Sequence, residues 1–248
     1  MLIVMSIGSQ AAGQVAGGSP YEGKSCLTAG CHANLSEPKH VHAPVTLNQC
    51  DECHRETDRV AHKFTATAEF PQMCYECHDE GAISEAAKGG SVHQPVAAGD
   101  CRSCHRDHGS EHPDLLIEAY GRDYYVPAGD SEKYALCFEC HDYALIEEKE
   151  TQDTKFRNGR VNLHHLHVTR ERKGRSCRMC HTAHVSDQPR LIRSSVPFGK
   201  WEMKLRFAVT ETGGACGPSC HAPKRYDREN PIDLTKPPEV ESLLRSDR

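Results

Sequence analysis

The chain has 248 residues with 14 cysteines, 17 histidines, a formal charge of −5, and 37% hydrophobic and 6% aromatic content. One Trp and a mean hydropathy of −0.65 exclude a polytopic membrane protein and a large self-sufficient apolar core. Something other than side chains must fill the interior.

Residues 1–20 read as a truncated export segment. Met1-Leu-Ile-Val-Met-Ser-Ile resembles the apolar core of a signal peptide and Ala11–Gly18 a cleavage region, but no Lys or Arg precedes them. The cysteines then follow as seven pairs, each closing on Cys-His. The first is stretched, Cys26-x4-Cys31-His32. Five plain C-x-x-C-H motifs come next: Cys50, Cys53 and His54; Cys74, Cys77 and His78; Cys101, Cys104 and His105; Cys137, Cys140 and His141; Cys177, Cys180 and His181. The last is again stretched, Cys216-x3-Cys220-His221.

C-x-x-C-H is the attachment signature of c-type haem. Two thiols form thioethers with the porphyrin vinyls, and the next imidazole binds iron from the proximal side. On one helical turn, positions i, i+3 and i+4 share a face, so both sulfurs and the ring reach one macrocycle. Gly30, Gly217 and Pro218 suit the loops of the two longer variants. Zinc is the competing reading of C-x-x-C pairs. Histidine is 17 of 248 residues, so seven chance placements after seven pairs have a probability on the order of 10⁻⁸. Seven covalently attached haems, with their iron, are therefore expected to use all fourteen thiols. With propionates and ferric iron included, the net charge becomes about −12, so each added electron raises the cost of the next.

Alignment of the motifs exposes a repeat. A first haem segment (21–37) precedes di-haem unit 1 (38–92), unit 2 (93–163) and unit 3 (164–230), and a haem-free tail covers 231–248. Helix is expected over Ser131–Glu148, and a strand over 201–209, where Trp201, Met203, Leu205, Phe207 and Val209 alternate with polar or small residues. The expected fold class is mostly irregular and small-α with minor β, a haem-cored chain of tandem di-haem units. No segment approaches the length of a membrane span.

Ten histidines remain outside the motifs, and seven sixth ligands would saturate seven irons. The repeat nominates His42 and His62, His93 and His108, and His167 and His184. The seventh is His164 or His165, with His164 placed in the set and His40, His112 and His165 held in reserve. His105 and His108 lie too close to grip one iron from opposite faces, so His108 should reach a neighbouring haem, and His184 likewise. Met203, the only methionine clear of the motifs and the export segment, reads as core packing.

The pattern H-x-P-V followed by C-x-x-C-H-x-x-H-G-S around His93–Ser110 resembles the doubled-CXXCH multihaem cytochrome c family, including its cytochrome c3-like members. The likeness spans about residues 22–225. That resemblance implies a haem-cored fold, bis-histidine irons, and electron transfer without a substrate site. The expected role is an electron relay in the periplasm, or outside the cell at the outer membrane. Its partners would be redox proteins, an inner-membrane quinol oxidase or an outer-membrane porin–cytochrome, with self-assembly open and nucleic acid not expected. Two alternatives are kept. One is a multihaem reductase of nitrite or sulfur oxyanions with one open iron. The other is a subunit of a conductive filament.

Overall fold

A computed structural model describes residues 23–126 and 130–236. The export segment and the end of the tail lie outside them. The expected mostly irregular, small-α architecture is wrong in its proportions. Strand accounts for 25% of the chain against 26% helical, and six antiparallel sheets organise the described residues. Five of the six have only two strands. Most of these are two residues long, too short for an alternating pattern to show in the sequence.

Two of the small ladders are copies of one another. His40–Val41 pairs with Gly109–Ser110, and Ser91–Val92 pairs with Val185–Ser186. In each, the residue after the first strand is a histidine whose N–H donates to the carbonyl of another histidine. His42 donates to His108 and His93 to His184, both at 2.8 Å. A short helix follows each time, Ala43–Thr46 and Gln94–Ala97, with proline in its first turn, where the missing N–H costs nothing and φ is already set. Each ladder joins segments far apart in the chain, 40–41 to 109–110 and 91–92 to 185–186, so those segments interlock.

Past each ladder the chain turns back onto a motif in the same way. The Ser110 hydroxyl donates to the Leu116 carbonyl and the Ser186 hydroxyl to that of Ile192. Isolated bridges then pair His105 with Leu116 and His181 with Ile192. Both turns hold two consecutive residues in the left-handed region: Asp114 and Leu115 (φ 59° and 58°), and Arg190 and Leu191 (φ 61° and 56°). This backbone is costly for non-glycine residues. What it achieves is aim. The Asp114 and Arg190 carbonyls accept from Nδ1 of His105 (2.8 Å) and His181 (3.1 Å).

The one larger sheet has four strands in sequential order, Ser195–Phe198, Trp201–Val209, Gly213–Pro218 and Lys224–Asp227. Leu205 of the second strand packs with Val196 and Met179 in a small buried cluster that Tyr124 and Cys180 flank. Met203 pairs across the sheet with Val196 and is half-buried. The helix expected over Ser131–Glu148 is broken. A 3-10 turn at Ser131–Tyr134 runs into Ala135–Phe138, and Ala144–Glu147 forms a separate turn, because the chain leaves the helix at the Cys-His closure. The described part of the tail lies against the hairpin of Arg157–Asn158 and Val161–Asn162. There Asn158 exchanges two hydrogen bonds with the Ile232 backbone, at 2.8 and 2.9 Å. No helix among the described residues is long and apolar enough to cross a membrane.

The left-handed turns make a direct stability prediction. Arg190 is exposed, so Arg190→Val should destabilise the protein by about 1–2 kcal/mol, whereas Arg190→Gly should be neutral or stabilising. Thermal denaturation of the holoprotein measures the difference.

Candidate haem-binding sites

Four of the five plain motifs close as one turn of helix. The N–H of His78, His105, His141 and His181 donates to the carbonyl of the first cysteine of its own motif, at 3.0, 3.0, 2.9 and 2.9 Å. In the second motif a 3-10 turn at Cys50–Glu52 leads instead into the strand His54–Asp58. The stretched first motif reaches the same closure as the four. His32 N–H donates to the Cys26 carbonyl at 3.0 Å, with Gly30 at φ +81° absorbing part of the extra length. The last motif differs, since Cys216 sits on the Gly213–Pro218 strand. There Gly217 and Pro218, inside a motif one residue longer than the plain ones, prolong a strand.

The motif cysteines differ in how deeply the protein chain itself buries them. Cys31, Cys77, Cys140 and Cys220 are exposed, whereas the first cysteine of every motif is half-buried, as are Cys53, Cys104 and Cys180. All four exposed thiols are the second of their pair. The local backbone gives the reason: the second cysteine ends the turn, just where the chain departs toward solvent. Cys77 shows it plainly, its N–H donating to the Cys74 carbonyl at 3.2 Å while Glu76, Cys77 and His78 all lie exposed. Cys140 repeats this, donating to Cys137 at 3.3 Å.

The structure brings imidazoles together in pairs, and each pair joins a motif histidine to one outside the motifs. His32 faces His62 with ring centroids 6.1 Å apart, His54 faces His108 at 5.9 Å, and His78 faces His42 at 6.3 Å. His105 faces His184 at 6.0 Å, His141 faces His93 at 6.3 Å, and His181 faces His164 at 6.5 Å. Interplanar angles run from 8° to 36°. Parallel rings in contact would sit about 3.5–4 Å apart, so these pairs hold a gap. His221 and His167 complete the set of fourteen and lie within electrostatic reach of one another. His165 does not join. Its Nδ1 donates to the Ile146 carbonyl at 2.8 Å, and neither His40 nor His112 forms a ring pair among the described residues.

The gap has a chemical meaning. Two imidazole nitrogens bound from opposite sides to one metal, each about 2 Å from it, put the ring centroids roughly 6 Å apart. No group of three His, Cys, Asp or Glu among the described residues could hold an ion by itself. A metal between two rings therefore needs four in-plane donors from elsewhere, which a porphyrin supplies, and each pair has a motif's two thiols beside it. The residues fit haem.

Backbone carbonyls fix which nitrogen is free to bind. Nδ1 of His42 donates to Asp107 (2.8 Å), that of His93 to Ala183 (3.0 Å) and that of His167 to Leu163 (2.6 Å), leaving Nε2 as the nitrogen that could bind a metal. Burial keeps the rings neutral, as metal binding requires. It pushes His164 down to about 4 and lowers His108, His167, His181 and His184. The thiols go the other way. Burial raises Cys74 and Cys180 to about 11 and Cys216 to about 12.

Two arrangements were not legible as motifs. Asn162, 1% exposed, caps the helix Leu163–Val168 that carries both His164 and His167. Its carbonyl oxygen accepts from the N–H groups of His164 (3.0 Å) and His165 (3.3 Å), and its amide donates to Leu145 (3.0 Å) and Glu148 (2.9 Å). Between the fifth and sixth motifs, the Arg178 and Arg193 guanidinium carbons lie 5.3 and 5.5 Å from the Tyr124 ring centroid. Both Nε atoms are buried without a hydrogen-bond partner. Asn162→Ala should cost about 2–4 kcal/mol through the lost cap and the stranded carbonyls. Chemical denaturation with EPR of the oxidised protein should show that loss, together with disturbed spectra for the two sites this helix serves.

A family model described as outer membrane cytochrome MtrC/MtrF-like, domains II/IV, matches residues 23–190. No curated protein and no solved structure matches the chain. The match covers all but one of the seven motifs, and it supports the wider likeness to multihaem cytochromes c rather than the cytochrome c3-like branch in particular. Its members are electron-transfer cytochromes of the outer membrane and cell exterior. A chain built of paired imidazoles and Cys-His closures, matched by this model over most of its length, belongs to the outer membrane MtrC/MtrF-like family of multihaem cytochromes.

Proposed function

We propose that the chain is a heptahaem c-type cytochrome that relays electrons at the outer membrane between redox proteins, a porin–cytochrome among them. The observation that carries this reading is the pairing of six motif histidines with six others across gaps of 5.9–6.5 Å. Numbered by motif, the sites would be held by His32 and His62, His54 and His108, His78 and His42, His105 and His184, His141 and His93, His181 and His164, and His221 and His167. In each, the two motif cysteines would carry the thioethers. Bound haem supplies the one-electron iron couple; the protein supplies axial imidazoles, which hold potentials below those of methionine ligation. Arg178 and Arg193, with buried and unpartnered Nε atoms, would offset propionate charge near the fifth and sixth sites.

Reduction of nitrite or a sulfur oxyanion would need an iron with an open face. His62 opposite His32 supports closure at the first site, where an open face was least unexpected. The domain reading becomes a first haem segment followed by three interlocked di-haem units.

The assignment of His164 over His165 is sharply testable. The oxidised protein should give only low-spin ferric EPR signals. His164→Ala should add a high-spin signal equal to one of seven haems, while His165→Ala should add none. A high-spin signal in the unsubstituted protein would contradict full axial closure.

A further inference from the structure

We propose that the tip of the hairpin formed by Ser195–Phe198 and Trp201–Val209 docks on an anionic lipid surface, entering it with two aromatic side chains and gripping it with the cations behind them. The proposal does not depend on the number of haems.

The aromatic part comes from the turn. Phe198 and Trp201 pair across the two strands and close the hairpin over Gly199 and Lys200. Gly199 turns the chain at φ +60°, and a Cβ there would meet nothing within 4 Å. Further back on the same face, Val196 and Leu205 are buried against Met179. That packing stops short of the tip. Phe198 is 56% exposed, and Trp201, the chain's single tryptophan, 77%. One exposed apolar residue is ordinary on a protein surface. Two large rings side by side at an open turn match the residues that settle at a membrane–water interface, where the ring is covered and its polar edge stays wet.

Charge supplies the second part. Residues 168–229 hold thirteen Lys or Arg against six Asp or Glu, net +7, whereas 1–167 hold fourteen against twenty-five, net −11. On the hairpin Lys200, Lys204 and Arg206 are exposed, and Glu202 is its one acid. Among the described residues none of these four forms an ion pair. Asp187, tied to the Ser194 hydroxyl, lies at the other end of the first strand. A strand rises about 3.3 Å per residue, so Lys204 stands roughly 10 Å behind Trp201 and Arg206 roughly 17 Å. A tip sunk about 5–10 Å into the headgroup boundary sets Lys200 and Lys204 at the level of the lipid phosphates. Arg206 is then within about 8 Å of them, the screening length at physiological salt. Acids farther away than that count for little, so the cations of the hairpin, rather than the chain's net −5, govern the contact. The family to which the chain belongs is found at the outer membrane, which puts such a surface within reach.

The rival occupant is an acidic protein, and vesicles separate the two. Holoprotein should float with vesicles of equal parts phosphatidylglycerol and phosphatidylcholine and not with phosphatidylcholine alone. Each Lys or Arg near an anionic surface strengthens binding about fivefold, so Lys200→Glu combined with Lys204→Glu should weaken it at least about 25-fold. Trp201→Ser should weaken it on the order of tenfold, the worth of covering about half of the exposed ring. Trp201→Phe should restore most of that loss, and Val60→Ser, at an exposed position elsewhere, should change nothing. Unaltered haem absorbance and melting temperature in each variant would show that the fold is intact. Failure of the unsubstituted protein to bind anionic vesicles would overturn the proposal. So would binding that the double charge reversal abolishes and Trp201→Ser leaves intact, the behaviour of a surface built for an acidic protein. Neither result would touch the haem reading.

Discussion

The constraint that shapes this fold is a set of six imidazole pairs whose ring centroids are held about 6 Å apart. Side chains left to themselves would close such a gap, since parallel rings gain dispersion energy only in contact. The chain holds the rings open from behind. The Nδ1 atoms of His42, His93, His105 and His181 are tied to backbone carbonyls, and those carbonyls lie beside short ladders or in left-handed turns. The small apolar cluster of Met179, Val196 and Leu205 cannot organise the whole chain by burial; under the proposed function, metal coordination would take that part.

This explains the unusual distribution of regular structure. A two-residue ladder contributes little by itself, but the two copied ladders each join distant segments and bring two histidines into a backbone hydrogen bond, His42 with His108 and His93 with His184. The backbone cost of Asp114, Leu115, Arg190 and Leu191 falls where a carbonyl must meet a proximal imidazole. Strain is thus directed to ring orientation, and the same device appears in both copies. Interlocking also makes distant segments dependent on one another: residues 40–41 are paired by 109–110, and residues 91–92 by 185–186.

The multihaem cytochrome family was legible in the sequence because its signature lies in cysteine and histidine spacing within a few residues. Spacing does not say which thiols face solvent, and the exposure of Cys77 and Cys140 is decided by the direction in which the chain leaves each turn. The distal histidines were legible only through repetition, as at His42 and His93, which hold the same place before Pro and Val. Repetition could not separate His164 from His165. That choice depends on the Asn162 cap, which turns one ring toward His181 and the other toward Ile146. The amount of strand was misjudged because its ladders are shorter than one period of alternation, and the helix over Ser131–Glu148 because helical propensity does not register the break at Cys140-His141. The nine-residue strand Trp201–Val209, long enough to alternate, stood out. Nothing marked Arg178, Arg193 and Tyr124 as neighbours, since their contact is made only by the fold.

The central claim is that each paired imidazole and its adjoining thiols hold one covalently bound haem. Its most direct measurement is a haem and iron count per chain before and after extraction with acidified acetone. The account predicts seven of each, all retained after extraction and all absent from the solvent phase. Colour passing into the acetone, or zinc found in place of iron, would contradict it.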